Sequence, residues 1–141
     1  MNTRLDAERI VNELHGARVS GDLNAVCRVF AVDGHFRIAG ASADKPIAIV
    51  AEGLADFRPW LSMMLKVFQL RNYDLIRIVV DWPRVVVNWR AAVFSKVTGV
   101  TVPTEFVDMV EIRDGKIVSY DEFFVPCEAF RSAGEQPDRL A

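Results

Sequence analysis

Residues 104–124 read TEFVDMVEIRDGKIVSYDEFF. At their centre Asp114-Gly115 is a two-residue hairpin signal, because a type I′ turn needs positive φ at both positions and Asp-Gly tolerates it. The flanks alternate. Phe106, Asp108, Val110 and Ile112 share one face, and Glu105, Val107, Met109 and Glu111 the other. Beyond the turn, Val118, Tyr120, Glu122 and Phe124 share a face. Two long antiparallel strands, 104–113 and 116–124, are therefore expected. Asp108 is the one polar side chain on an apolar face, and a lone carboxylate there must be paired, protonated or functional.

Working outward, residues 74–80 and 85–94 are rich in branched and aromatic residues and read as two further long strands, joined at Trp82-Pro83-Arg84 and ending near Thr98-Gly99. Upstream the period changes to helical. Thr3 can cap a first helix whose apolar face is Ile10, Val11 and Leu14. Ser20-Gly21-Asp22 breaks it, and Asp22 caps a short second helix carrying Leu23, Val26, Cys27 and Phe30. Asp33-Gly34 reads as a turn before a short strand, 35–39, and residues 40–45 as a loop. A third helix spans roughly 54–68, with Phe57, Trp60, Leu61, Met64, Leu65 and Phe68 at i, i+3, i+4 spacing and Pro59 in its first turn. Residues 131–141 lack periodicity and are expected to form a flexible tail after a single domain of residues 1–130.

The composition narrows the function. The chain has 141 residues, 51% of them hydrophobic, enough for one domain with its own core. With 17 basic and 19 acidic residues, the net charge of −2 offers no footprint for nucleic acid. No apolar run is long enough to span a membrane. The opening residues, MNTRLD, start no signal peptide, and a cytoplasmic location is expected. Cys27 and Cys127 lie far apart, and with only His15 and His35 besides, no metal-ligand spacing appears.

Helices first and an antiparallel meander after make an α+β domain. The segment SGDLNAVCRVFAVDGHFRI and the hairpin VDMVEIRDGKIVSYDEFF resemble the nuclear transport factor 2-like superfamily, which includes SnoaL-like polyketide cyclases, ketosteroid isomerases and limonene epoxide hydrolases. The resemblance implies a cystatin-like α+β barrel: N-terminal helices packed on a curved antiparallel sheet that forms a conical cavity. It also implies a homodimer, a small apolar metabolite as ligand, and chemistry without a cofactor.

Candidate site residues follow. By the resemblance, Asp108 falls near the position where ketosteroid isomerases keep a protonated aspartic acid. The alternative is an ion pair, with Arg90 the nearest arginine by strand order. Tyr120 and Glu122 match positions where limonene epoxide hydrolases carry a cavity tryptophan and a catalytic aspartate, or else they are a packed phenol beside a solvent-facing acid. Asn88 and Arg90 point the same way and match an Arg-and-Asp pair in those hydrolases, though neither residue type is kept in place. Arg90 on the outer face is the bland alternative. Trp60, Met64, Phe36 and Phe106 would line the cavity or simply pack the core. Ile38 and Leu14 stand where the isomerases carry their base and helix tyrosine, which excludes that mechanism. A histidine–aspartate dyad, known in dehydratases of the superfamily, would use His35 with Asp33 or Asp108. Alternation sets His35 with Arg37, away from Phe36 and Ile38.

Overall fold

The computed structural model describes residues 3–42 and 45–127. Helix α1 (Arg4–Ser20) begins at a capping box, in which the Thr3 side chain accepts from Asp6 N and the Asp6 side chain accepts from Thr3 N. It ends at Gly21, whose φ of 76° closes the last turn. Asp22 then caps α2 (Leu23–Val29) by accepting from Ala25 N at 3.1 Å. The chain continues through β1 (Phe30–Ser42), β2 (Lys45–Glu52), α3 (Leu54–Val67), β3 (Phe68–Asp81), β4 (Arg84–Ser95), β5 (Thr101–Arg113) and β6 (Lys116–Pro126).

The strands form one curved, unclosed sheet in the order β2-β1-β6-β5-β4-β3. The β3–β4–β5–β6 meander is antiparallel, as the alternation predicts, with Asp114 and Gly115 both at positive φ in the β5–β6 turn. β1 joins the meander by pairing parallel to β6, so the sheet is not antiparallel throughout. Several boundaries differ from the sequence reading. β1 runs straight through Asp33-Gly34, which forms an irregularity in the pairing between Phe30 and His35, not a turn. The segment 45–52, to which the sequence reading gives no strand despite its Ile47-Ala48-Ile49-Val50 run, pairs with β1 as the sheet edge, where Pro46 is tolerated. β4 stops at Ser95, and β3 and β5 start earlier than alternation suggests. Pro59 lies inside α3 beyond its first turn. Val118 occupies an irregularity where Glu111 pairs Ser119 but Ile112 pairs Ile117, so it leaves the face of Tyr120 and Glu122. The tail expected at 131–141 lies outside the described residues.

The helices cover the concave face of the sheet. α1 packs against α2 and β3, and α3 against β1 and β2. Two aromatic groups organise the core between them. Phe36 stacks on Phe57 at 4.6 Å with Phe30 edge-on to both, and Trp89 stacks on Phe106 at 3.8 Å. Burying each such ring contributes about 1.5–3 kcal/mol. Among the described residues, much of the space expected as an open cone is thus filled by side chains. A cleft of about 300 Å³ remains beside it, lined by Asn12, His15, Gly16, Val19 and Ser20 of α1 and by Tyr73 of β3.

Candidate functional site

Strand register sets two acids face to face. Asp108 on β5 pairs directly with Glu122 on β6 and with Val87 on β4, and Tyr120 lies one step along the same β6 face. Trp89, two residues beyond Val87, points to the same side. α1 crosses above them and adds His15 and Arg18, which continue its Val11–Leu14 buried stripe at helical spacing. Asp108, Tyr120, Glu122, Trp89 and His15 are all at most 2% exposed.

Hydrogen bonds join these groups into one network. Asp108 Oδ2 accepts from Trp89 Nε1 at 2.9 Å and from the Tyr120 hydroxyl at 3.0 Å, and lies 3.2 Å from His15 Nε2. The Tyr120 oxygen is also 2.5 Å from Glu122 Oε2 and accepts from Arg18 Nη1 at 3.2 Å. Arg18 donates Nη1 to Glu122 Oε2 and Nη2 to Oε1 at 3.4 Å, while its guanidinium sits 5.2 Å from the Trp89 ring centroid. His15 Nδ1 meets the Tyr73 hydroxyl at 2.6 Å. Among the described residues Asp108 Oδ1 has no hydrogen-bond partner, although it is buried.

The Tyr120 hydroxyl has one proton to share between Asp108 Oδ2 and Glu122 Oε2. The charges call for one more proton on the acids. One guanidinium offsets one carboxylate, and a second ionised acid in this dry volume would be uncompensated. Burial, opposed by Arg18, pushes Asp108 above the usual carboxylate range. Burial does the same to Glu122 against the pull of Arg18. Arg18 touches Glu122 with both terminal nitrogens, so the ionised acid is Glu122 and the un-ionised one Asp108. Burial works against the Arg18 charge, but Glu122 more than offsets it and the guanidinium stays charged. Burial, and then the Arg18 charge, lowers His15 to about 3, so the imidazole is neutral.

That neutrality has a measurable consequence. The unfolded chain protonates His15 below pH 6.5 and the folded chain does not until about 3. The unfolded state therefore holds the extra proton in this window, and His15 costs the wild type about 1.4 kcal/mol of stability per pH unit as pH falls. The raised carboxyl pair runs the other way, favouring the fold at low pH and losing that contribution as pH rises. A His15→Gln variant lacks only the first effect. Its denaturant-unfolding free energy should rise relative to the wild type by about 1.4 kcal/mol per pH unit as pH falls below 6.5; parallel curves would mean that His15 takes up its proton in the fold as it does in the unfolded chain.

Of the residues singled out in the sequence, Asp108, Tyr120 and Glu122 come together, with Phe106 stacked on Trp89 beside them. Arg90 does not join them. It is exposed on the outer face, where it pairs in register with Glu105 and Asp74. Asn88 shares that face, donating to Glu105 and to the Phe106 carbonyl. The arginine that meets the acids is Arg18, from a helix and not from the neighbouring strand. His35 is exposed and pairs with Glu52 at 2.6 Å, so the histidine beside Asp108 is His15. Phe36 is core, Met64 packs against the core edge, and Trp60 is 43% exposed on α3. Ile38 and Leu14 are buried and apolar. Among the described residues no cluster of metal-ligating side chains occurs, and no helix is long and apolar enough to cross a membrane.

Residues 11–120 match the sequence profile of the SnoaL-like domain family. No curated protein matches the chain. Solved structures share its fold at low identity. An NTF2-like protein from Burkholderia xenovorans is 22% identical with a TM-score of 0.71, over 88% of this chain and 92% of that one. An LEH-like epoxide hydrolase from M. tuberculosis is 18% identical with a TM-score of 0.66, over 85% and 83%. A steroid delta-isomerase from Pseudomonas aeruginosa is 25% identical with a TM-score of 0.59, over 96% and 90%.

Proposed function

The chain belongs to the SnoaL-like domain family, and on that footing we propose that it is a small-molecule enzyme performing cofactor-independent acid/base chemistry on an apolar, oxygen-bearing metabolite. The observation that carries the proposal is Asp108. A wholly buried acid whose Oδ2 is held by Trp89 and Tyr120, and whose Oδ1 has no partner, is aligned by the protein at one oxygen and free at the other. Left unmade, such a hydrogen bond costs about 1–3 kcal/mol, which a ligand oxygen can recover.

Asp108 is enclosed behind His15, so substrate reaches it once the His15 side of the cleft opens; in its un-ionised form it then donates to a carbonyl, epoxide or hydroxyl oxygen and stabilises the negative charge that develops there. Glu122 and Arg18 neutralise one another and keep the second proton on the Asp108 side. His15 and Tyr73 stand where the cleft meets the network. Isomerisation, cyclisation, dehydration and epoxide hydration all need such a donor. The isomerase mechanism with a base at Ile38 is excluded by that residue's chemistry.

The test is a thermal-shift screen of wild type and Asp108→Asn against steroids, terpene epoxides and aromatic polyketide fragments. A ligand at a hundred times its dissociation constant stabilises by about 2.7 kcal/mol. The proposal expects one class to raise the wild-type melting temperature and to lose that effect in Asp108→Asn. A flat response to every class overturns it and favours a second reading, a non-catalytic module of the same fold. The filled concave face, with Trp89 and Phe106 stacked on each other beside Asp108, is what supports that alternative.

A further inference from the structure

We infer that Tyr73 and His15 form a proton relay between the solvent-facing cleft and the buried Asp108. The inference rests on the reading of Asp108 as the acid, because an acid that leaves its proton on the product has to be recharged. Asp108 is fully enclosed and cannot take a proton from solvent directly. The structure offers a continuous path. Tyr73 is partly exposed and lines the cleft. Its hydroxyl is 2.6 Å from His15 Nδ1, and His15 Nε2 is 3.2 Å from Asp108 Oδ2.

Two local features look built for this contact. β3 carries an irregularity between Arg71 and Asp74, with Asn72 at a φ of 54°, and this turns Tyr73 toward α1. The Tyr73 ring then meets His15 edge-on at 5.3 Å, while the other side of His15 lies on Trp89 at 4.6 Å, so the imidazole is held between two aromatic walls. An imidazole bonded at both nitrogens can pass a proton by exchanging tautomers.

Once Asp108 has given its proton to the substrate it is a carboxylate. The His15 Nε2–H bond breaks and an Asp108 O–H bond forms. The Tyr73 O–H bond breaks and a His15 Nδ1–H bond forms. The phenol oxygen takes a proton from solvent in the cleft. One proton enters, one negative charge is neutralised, and His15 ends neutral in its other tautomer; a half-turn of the imidazole, and of the carboxyl that received the proton at Oδ2, resets both for the next turnover. No imidazolium is needed, which suits a site where burial and Arg18 disfavour one.

The experiment is infrared spectroscopy of the intact protein during rapid dilution into deuterium oxide, following the stretch of the un-ionised carboxyl that Asp108→Asn removes. Tyr73→Phe keeps both ring contacts and lacks only the hydroxyl. His15→Gln keeps hydrogen-bonding groups near Asp108 but cannot exchange tautomers. Each should slow deuteration of that carboxyl by about tenfold or more, with little change in melting temperature. Exchange as fast as wild type in either variant overturns the relay and leaves the acid assignment standing. If Asp108→Asn removes no carboxyl band, Asp108 is ionised, and the acid assignment falls together with the relay.

Discussion

Arg18→Met should lower the unfolding free energy by about 3–5 kcal/mol, the cost of leaving one member of a buried ion pair alone. The Arg18 side chain is 10% exposed and its Glu122 partner 2%. Without the guanidinium, Glu122 is an unsolvated charge opposite a second carboxyl, and Tyr120 loses a donor. Against a total stability of about 5–15 kcal/mol for a domain, the loss brings the chain close to unfolding. Adding Glu122→Gln should restore most of it, because two neutral groups leave no uncompensated charge, and a double-mutant cycle measures the coupling directly. The single variant should also recover in acid, where Glu122 takes up a proton more readily in the fold than in the unfolded chain. Denaturant curves in which Arg18→Met and wild type coincide at neutral pH would show that the pair is not ionised.

Asp108→Asn should separate chemistry from stability. Once the screen supplies a substrate, turnover should fall by about 10²–10⁴-fold, the usual contribution of a positioned general acid. The fold should barely change, by about 1 kcal/mol or less, because the amide keeps an oxygen for Trp89 and Tyr120 and is neutral like the acid it replaces. Each half has its own contrary result. Intact turnover sinks Asp108 as the acid. A large destabilisation would show that the native group is ionised and that Arg18 serves both carboxylates.

How far the sequence carried the argument depends on parity. Asp108 was legible because a strand face with period two makes a single carboxylate among Phe106, Val110 and Ile112 conspicuous. Tyr120 and Glu122 followed by the same alternation, while Val118 did not, since an irregularity in the pairing adds a residue that alternation cannot count. Arg90 is one residue away from Trp89 on β4, and that single step places it on the opposite face. His15 and Arg18 had a helical signal. Each falls four residues after a buried member of the α1 stripe, His15 after Val11 and Arg18 after Leu14, but polar residues near a helix end usually face water, and nothing local pairs them with acids about a hundred residues later. The parallel β1–β6 pairing is equally silent, because parity assigns faces and not neighbours.

The bonds His15–Asp108 and Arg18–Glu122 span 93 and 104 residues, in a chain whose described cysteines are both free. They close a loop nearly as long as the domain, the kind of closure whose entropy is slow and costly to overcome. Folding therefore cannot be completed before the polar cluster is assembled. An unfolding curve of this protein also follows the assembly of its buried polar cluster.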